Sequence, residues 1–258
     1  MVHEPAPNRP RAAGAGRLRP RQGRLALTNA ARRSPCRAEL WRESTSALLE
    51  HECKRLLAGS GLPTPAGKFV EGVDELHLAA SALVPPLCLK AQSSQLPHKS
   101  DVGGVVLDLA DADAVVAAAR SMRDQLPVAF EGFLVEEMAG PGVEMIAGAL
   151  VDPNLGPFVL AGTGGIYTEI LRDVTLFPAP LSHEEAMVLI DGLRGVALLS
   201  GARGGPRADR DAFAKCLVAL SQFVAAHEDE IREIDLNPVL VGPEERGACV
   251  LDAAIILR

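Results

Sequence analysis

Two short apolar segments near the C-terminal end of the chain constrain its fold most, because oxygen-bearing side chains are set into each of them. The segments are residues 232–241 and 250–253, and a polar turn between them predicts a β-hairpin. Since side chains alternate along a strand, Asp235 and Asn237 share one face, with Asp252 opposite them. Such hard oxygen ligands suit Mg²⁺ that also binds nucleotide phosphates. The spacing equally fits a strand with a polar outer face that ends at a proline turn.

The first 40 residues differ in charge from the rest of the chain. They hold nine arginines against Glu4 and Glu39, which gives a charge of +7. Since the whole chain carries −7, residues 41–258 carry −14. Without apolar periodicity, residues 1–40 are predicted to be a disordered basic tail with no catalytic role. An organelle transit peptide or a start codon placed too far upstream explains the same composition. The acidic remainder is a poor partner for nucleic acid.

Cysteine usage and hydropathy indicate the compartment. The five cysteines are scattered without a CxxC pair, which favours a reducing environment and argues against a zinc or disulfide scaffold. No unbroken apolar run approaches the length that spans a membrane. We therefore expect a cytoplasmic protein with no membrane partner.

Apolar periodicity along residues 41–258 predicts a mixture of helices and strands. Helices are predicted over Trp41–Ala58, Val73–Ala82, Asp111–Asp124, Ser182–Leu199 and Asp209–His227. Strands are predicted over Lys68–Val70, Leu87–Lys90, Val105–Leu109, Phe133–Met138, Glu144–Val151 and Pro157–Ala161. This order predicts an α/β or α+β chain of two lobes.

Two glycine-rich loops and one lysine are candidates for phosphate binding. Lys90 ends a buried strand, where its ammonium group can project toward a phosphate. The polar loop that follows contains Gly103 and Gly104, whose backbone N–H groups can approach an anion. A second loop contains Gly164 and Gly165. Each loop alone is better explained as a tight turn, so their weight comes from occurring together with the acidic hairpin.

Seven short motifs, in order, resemble the ATP-grasp beta subunit or domain of ADP-forming acyl-CoA synthetases, which are relatives of acetate–CoA ligase and succinyl-CoA synthetase. The resemblance extends from about residue 44 to the C-terminal end. The motifs are Leu89-Lys90, His98 to Val105, Val135 to Met138, Gly142 to Glu144, Gly162 to Gly165 with Glu169 and Asp173, Gly201 to Gly204, and Glu233 to Pro238 with Asp252. The resemblance implies a two-lobed ATP-grasp fold, with lobes at residues 41–134 and 135–258 and the nucleotide between them.

The resemblance also implies ATP and Mg²⁺ as cofactors and gives each motif a role. Lys90 would hold the phosphates beneath the Gly103-Gly104 loop, and Asn237 and Asp252 would ligate Mg²⁺ with Asp235 close by. The segment Val135, Glu136, Glu137 and Met138 would be the inter-lobe hinge that reads the adenine edge. The remaining cofactor-binding residues implied in this way are Glu144, Gly164, Gly165 and Glu169. Phosphoryl transfer requires mainly positioning and charge neutralisation, which such groups supply.

The reaction implied by the resemblance needs a second polypeptide. In this family ATP phosphorylates a histidine on a partner alpha subunit, and the phosphate then passes to an acyl group near CoA. His98 matches the family's beta-side histidine and, with Lys90 and Arg203, forms the implied catalytic set, although a turn-capping role explains His98 as well. The chain has no strand–GxGxxG–helix unit, so CoA and a small carboxylic acid would bind through the partner.

The chain departs from the family pattern at Phe177, where an arginine is expected, and at Pro97, just before His98. A missing cation predicts slow phosphoryl transfer, with Arg172 and Arg203 as possible compensating residues. Replacing Phe177 by arginine is then expected to raise the rate. The other explanation is that Phe177 packs in the core and the arginine has moved in register.

Two other functions fit the same residues. One is a non-catalytic nucleotide-binding regulatory module that kept the ATP-grasp fold. The other is a carboxylate–amine ligase of the wider ATP-grasp group, which the His98 loop and the segment 233–238 disfavour because they resemble the CoA-ligase branch.

Overall fold

A computed structural model describes residues 48–93, 99–126, 131–165, 173–201 and 205–258. The basic tail and the first part of the helix predicted over Trp41–Ala58 lie outside these residues. The helices are α1 (Glu50–Ala58), α2 (Val73–Ser81), α3 (Ala112–Gln125), α4 (His183–Asp191) and α5 (Arg210–Ala226), with short 3-10 helices at Lys99–Val102 and Arg194–Ser200. The strands are β1 (Gly67–Val70), β2 (Leu87–Gln92), β3 (Val105–Leu109), β4 (Gly132–Glu137), β5 (Val143–Asp152), β6 (Gly156–Thr163), β7 (Val174–Pro178), β8 (Ile231–Val241), β9 (Ala248–Val250) and β10 (Ala254–Leu257). No helix in the described ranges is both long and apolar enough to cross a membrane.

The first sheet is antiparallel, with strand order β1-β4-β2-β3. Its core lies on one face, where α2 and α3 bury apolar side chains against Leu87, Leu89 and Val135. Asp111 caps α3 by accepting a hydrogen bond from the backbone N–H of Ala114 at 2.8 Å, as its position in the sequence predicts.

The second face of this sheet carries polar side chains. Cys88 pairs with Glu136 and Lys90 with Leu134, so Lys90 and Glu136 project from the face that α2 and α3 leave uncovered. This face is turned toward α1 and the connection between β9 and β10.

The second sheet has the order β10-β8-β5-β6-β7, and β9 also pairs with β8. The predicted C-terminal hairpin is confirmed: β8 and β9 are antiparallel, with Val239 opposite Val250 and Val241 opposite Ala248. Helices α4 and α5 cover one face and form the larger core with Met145, Ala147 and Ala149 of β5.

The helix predicted over Ser182–Leu199 is two elements. Ser182 and Glu185 form the predicted capping box, but α4 ends at Asp191 and a 3-10 helix follows from Arg194. Gly192, a residue type that is unfavourable in a helix interior, stands at the break. The carboxylate of Asp173 accepts hydrogen bonds from the N–H groups of Arg194 and Gly195, both at 2.8 Å, and so caps the new turn.

The predicted lobe boundary between residues 134 and 135 falls inside β4, and the connection between the two sheets is residues 138–142. Helix α1 was predicted to belong to the N-terminal lobe, but its apolar side chains pack into the core of the second sheet. The N–H of Val250 donates to the carbonyl of Pro63 at 2.8 Å and ties the chain after α1 to the C-terminal hairpin. The apolar side chains of helix α1 therefore pack with the second sheet and its C-terminal hairpin, and not with the first sheet.

Candidate functional site

Five charged side chains are buried together where α1 meets the first sheet and the C-terminal hairpin. We call Glu50, Lys54, Lys90, Lys99 and Glu136 the buried ion cluster; between 1% and 11% of each side chain is exposed. Lys90 Nζ lies 2.6 Å from a carboxylate oxygen of Glu50, and Lys54 Nζ lies 2.7 Å from both carboxylate oxygens of Glu136. Lys99 pairs with the second oxygen of Glu50. Lys90 thus lies where the sequence predicts a phosphate-binding cation, but it is already paired.

Glu50 and Lys90 are ionised despite their burial. Burial alone would raise the pKa of Glu50, but the neighbouring Lys90, Lys54 and Lys99 outweigh it and hold that pKa well below its ordinary range. Burial alone would lower the pKa of Lys90, but Glu50, Glu136 and Asp252 raise it instead. Glu50 and Lys90 therefore keep their charges around neutral pH.

A single backbone carbonyl joins the cluster to the C-terminal hairpin. The oxygen of Leu251 accepts hydrogen bonds from Lys90 at 2.5 Å and from Lys54 at 2.7 Å. Leu251 immediately precedes Asp252, the predicted metal ligand. The lysines of the first sheet and of α1 are therefore held next to the polar face of the second sheet.

The structure brings the three predicted metal ligands to one place. Asp235 and Asn237 lie on the same, partly solvent-accessible face of β8, and Asn237 donates its N–H to the carbonyl of Asp252 at 3.3 Å. Burial, and then the Asp252 and Glu233 carboxylates, raise the pKa of Asp235. Crowded carboxylates of this kind are stabilised by a bound cation.

Their donor set fits a hard divalent cation in part. In the described ranges no group of three or more His, Cys, Asp or Glu side chains is arranged as a metal site. Two carboxylates and one amide instead leave coordination positions for water and phosphate oxygens, as is usual for Mg²⁺ bound with a nucleotide.

The first glycine loop differs from its prediction. Gly104 donates its N–H to the carbonyl of Lys99 at 2.7 Å, so this group is not available to an anion. A Cβ atom at Gly104 would come within 2.9 Å of the same carbonyl oxygen. Gly104 therefore closes a tight turn that fixes Lys99, while Gly103 is exposed with φ near +78°.

The second glycine loop lies against Glu144. Gly164 donates its N–H to the carbonyl of Glu144 at 3.0 Å, and a Cβ atom on Gly164 would come within 2.6 Å of that oxygen. Gly165 has φ near +82° and faces a Glu144 side-chain oxygen. Glycine is required here because the loop crosses the backbone of β5 in close contact.

The predicted hinge is mostly strand. Val135, Glu136 and Glu137 belong to β4, which pairs on both sides, and only Met138 lies in the connecting segment. The N–H groups of Glu137 and Met138 donate to protein carbonyls, both at 2.9 Å, so they do not read a base in this arrangement. The Glu136 side chain instead belongs to the buried ion cluster.

A pocket of about 500 Å³ lies beside the connecting segment. It is lined by residues 139–141 of that segment, by Leu240 and by the hairpin residues up to Cys249. A second pocket of about 420 Å³ lies between α1 and the edge of the first sheet, where His51 stacks on Phe69 with ring centroids 3.8 Å apart. Neither pocket is lined by Lys90 or Asp252. Lys90 instead donates directly to the Leu251 carbonyl.

Three predicted site residues, His98, Glu169 and Arg203, lie outside the described residues. Sequence reasoning missed Glu50 and Lys54 as parts of the site and quoted Lys99 only within a motif. The available signal was a Glu–Lys pair spaced four apart at the start of a helix, and such pairs usually lie on solvent-exposed faces.

Phe177 lies on the opposite face of the second sheet from the polar site. Phe177 pairs with Val159, which pairs with Ala149, and this row packs against the helices. Leu176 lies opposite Leu160, Leu160 lies opposite Gly148, and Gly148 lies opposite Asp235. Leu176 therefore shares the face that carries Asp235. The explanation that Phe177 packs against the core therefore fits the register.

The sequence and the fold are similar to those of known proteins. A family model described as an ATP-grasp domain matches residues 39–257. The beta subunit of ADP-forming acetate–CoA ligase II from Pyrococcus furiosus is 35% identical over 227 residues, which are 85% of this chain and 95% of that subunit. A trans-feruloyl-CoA synthase of an unknown prokaryotic organism is 38% identical over 214 residues, which are 81% of this chain but only 30% of that protein.

Solved structures give the same result. The dinucleotide-forming acetyl-coenzyme A synthetase 1 of Ca. Korarchaeum cryptofilum, in complex with coenzyme A and Ca-AMPCP, superposes with a TM-score of 0.80 and 36% identity over 86% of this chain and 98% of that chain. A second structure of that enzyme, with coenzyme A and Mg-AMPPCP, gives a TM-score of 0.70 and 38% identity over 82% of this chain and 93% of that chain. In it a phosphohistidine segment points towards the nucleotide binding site.

Proposed function

The chain belongs to the ATP-grasp family, in the branch of the ADP-forming acetate–CoA ligase beta subunits, and from this premise we propose that it is the ATP-binding subunit of an ADP-forming acid–CoA ligase. The reaction is acid + CoA + ATP to acyl-CoA + ADP + phosphate. One observation carries the proposal: buried lysines of the first sheet and α1 meet the Asp252 segment of the second sheet through the Leu251 carbonyl.

ATP and Mg²⁺ are the cofactors in this proposal. Asp252 and Asn237, with Asp235 beside them, would hold the metal, and bound Mg²⁺ supplies positive charge that neutralises the phosphates. Lys90 and Lys99 add ammonium groups close to Asp252. The connecting segment and its pocket offer a place for the base, and Glu144 with the Gly164 turn forms another wall of the polar face.

Nucleotide binding requires the contacts around Leu251 and Asp252 to rearrange. Lys54 and Lys90 are in direct contact with the Leu251 carbonyl, and ATP-grasp catalysis places the nucleotide between the lobes. Binding therefore has to exchange some contacts of this region, of which the 3.5 Å contact between Lys99 and Asp252 is the weakest, for contacts with phosphate. Charge-assisted hydrogen bonds of similar strength on both sides make that exchange energetically feasible.

A separate CoA-binding alpha subunit with a phosphorylatable histidine is the proposed partner. The relative that this chain nearly spans is named as a beta subunit, and the synthetase structures contain coenzyme A and a phosphohistidine segment. In this proposal His98 and Arg203 act at the phosphoryl-transfer step and Glu169 in nucleotide binding. CoA and a small carboxylic acid bind through the partner. The four described cysteines are free thiols, which agrees with a reducing compartment such as the cytoplasm.

Neither alternative function gains support from the comparisons. A regulatory module and a carboxylate–amine ligase share the ATP-grasp fold, but the long matches are to proteins named as acid–CoA ligases and acyl-CoA synthases. These names cover acetate, 4-hydroxybutyrate and feruloyl substrates. The identity of the acid therefore has to be found by experiment.

The test is a ligase assay with the purified chain and a CoA-binding alpha subunit, with ATP, Mg²⁺ and a panel of carboxylic acids. We expect ADP and acyl-CoA to form in equal amounts with at least one acid, and the chain alone to form no acyl-CoA. Asp252→Ala serves as the inactive control, and Asp74→Ala, an exposed carboxylate on α2, as the matched control. Formation of AMP instead of ADP, or robust acyl-CoA synthesis by the single chain, would contradict the proposal.

A further inference from the structure

Three lysines from three different elements converge on Glu50. Lys54 comes from α1, Lys90 from β2 and Lys99 from the 3-10 helix after β2. An ammonium group has three N–H donors and no acceptor. Counting the acceptors around each lysine therefore shows which of them can still bind a phosphate.

Lys54 and Lys90 have no donor to spare. Lys90 Nζ has Leu251 O at 2.5 Å, Glu50 Oε1 at 2.6 Å and Glu136 Oε2 at 3.1 Å. Lys54 Nζ has the Leu251 carbonyl and both Glu136 oxygens, each at 2.7 Å, and Glu50 Oε1 at 2.8 Å. Moving either ammonium group to a ligand would leave buried carboxylates without partners.

Lys99 is held differently. Its acceptors in the described part of the chain are Glu50 Oε2 and Asp252 Oδ1, and the second lies at 3.5 Å, beyond the usual range of a strong hydrogen bond. Asp252 Oδ1 already accepts the N–H of Ala253 at 2.8 Å. The Asp252 side chain is 37% exposed, against 1% for Glu50. The weak contact of Lys99 is therefore with the solvent-facing carboxylate.

We propose that Lys99 pairs with Asp252 while no metal is bound and turns to the nucleotide's phosphates when a divalent cation takes Asp252. This inference rests on the proposed function, which makes Asp252 a metal ligand. A cation on Asp252 repels the neighbouring ammonium group and uses up its acceptor. The flexible four-carbon stem of lysine lets the ammonium group leave Asp252 while Gly104 holds its backbone and Glu50 Oε2 keeps one of its donors. Phosphates bound to the same cation would offer it new acceptors.

Lys99 and Lys90 thereby have separate roles. Lys99 contacts phosphate and delays metal binding until nucleotide is present, because it neutralises Asp252 in the free chain. Lys90, together with Lys54, mainly holds the first sheet and α1 to the Leu251 carbonyl. The family resemblance gives the phosphate-binding role to Lys90 beneath the Gly103-Gly104 loop, and this inference adds Lys99 to it.

The experiment is calorimetric titration of the full chain with Mg²⁺ alone and with Mg²⁺–ATP. We expect Lys99→Met to bind Mg²⁺ alone several-fold more tightly than wild type, and Mg²⁺–ATP about tenfold more weakly, the loss of one charge-assisted hydrogen bond. Lys99→Arg keeps the charge and should restore most of the nucleotide affinity. Lys215→Met, at an exposed lysine paired only with Asp211 in the described residues, is the matched control. Thermal unfolding establishes that each variant is folded.

The outcomes separate the two proposals. If wild type binds Mg²⁺–ATP normally and Lys99→Met binds it equally well, the role of Lys99 is wrong and the proposed function stands. If Lys99→Met binds Mg²⁺ alone no more tightly than wild type, Lys99 does not compete with the metal at Asp252. If wild type shows no Mg²⁺–ATP binding, the proposed function fails and the phosphate role of Lys99 fails with it.

Discussion

Lys90 Nζ lies 2.6 Å from Glu50 Oε1, although 40 positions separate the two residues in the sequence. Glu50 begins α1, which packs into the core of the second sheet, whereas Lys90 lies on β2 of the first sheet. The pair therefore joins the two halves of the fold as well as placing an ammonium group at the candidate site. A buried pair of this kind is costly to break from one side, because the remaining charge has no partner.

Replacing Glu50 by glutamine is expected to destabilise the protein by about 3 to 5 kcal/mol at neutral pH. The substitution keeps the shape of the side chain but leaves three lysines with one carboxylate fewer. Urea titration followed by circular dichroism measures the change. Glu75→Gln, on the exposed face of α2, should change stability by less than about 0.5 kcal/mol. Equal stability of the Glu50 variant and wild type would show that the cluster does not hold the halves together.

The same pair predicts a pH dependence with a definite sign. Although burial opposes it, Lys90, Lys54 and Lys99 lower the pKa of Glu50 from its ordinary 4.5. A carboxyl group with a lowered pKa in the folded state stabilises the protein above its unfolded-state pKa, and this stabilisation is lost as pH falls. The gap in unfolding free energy between wild type and Glu50→Gln should be constant above about pH 5 and narrow below about pH 4.5. A gap that widened on acidification would contradict the assignment.

Asp252→Ala is expected to weaken Mg²⁺–ATP binding by at least about tenfold and to remove its dependence on Mg²⁺ concentration. The reason is that Asp252 supplies one of the two carboxylates of the predicted metal site, beside the backbone of Asn237. Calorimetric titration at several Mg²⁺ concentrations measures both effects. An unchanged Mg²⁺ dependence in a folded variant would remove Asp252 from the metal site.

Gly164→Ala tests the second glycine loop. The added methyl group would meet the Glu144 carbonyl oxygen at 2.6 Å, so the loop has to move away from β5. We expect a loss of about 1 to 3 kcal/mol in stability together with weaker nucleotide binding. Gly72→Ala, just before α2, is the matched control, since a Cβ atom there meets nothing closer than 4.0 Å. Similar behaviour of the two variants would show that the close contact at Gly164 is unimportant.

Local patterns predict much of this fold because they act over short distances. The hairpin around Asp235, the Asp111 cap and the Ser182 capping box all follow from spacing of a few residues. What the sequence does not reveal depends on long-range contacts. The pairing of Glu50 with Lys90 and Lys99, and the capping of the 3-10 helix by Asp173, join residues whose separation carries no local signal.

Strand β7 shows that strand register, and not motif spacing, determines which face of the sheet a residue occupies. The sequence has Phe177 at the place of an expected arginine, and spacing alone cannot say which face that residue takes. Because side chains alternate, one position separates a residue on the helix-covered face from one on the open face. Phe177 takes the covered face, and Leu176, half-exposed, takes the open one.

Phe177→Arg is therefore expected to destabilise the protein by about 2 kcal/mol or more, because it places an unpaired charge against the core. It should not raise the rate of partner phosphorylation, since a cation at this position points away from the face that carries Asp235. Leu176→Arg is the matched variant: its side chain lies on the open face, so stability should change little. Rapid-quench measurement of alpha-subunit phosphorylation, with urea titration of each chain, compares them. A faster transfer in a stable Phe177→Arg variant would show that the register of β7 changes during catalysis, whereas a gain confined to Leu176→Arg would show that the open face lacks a cation.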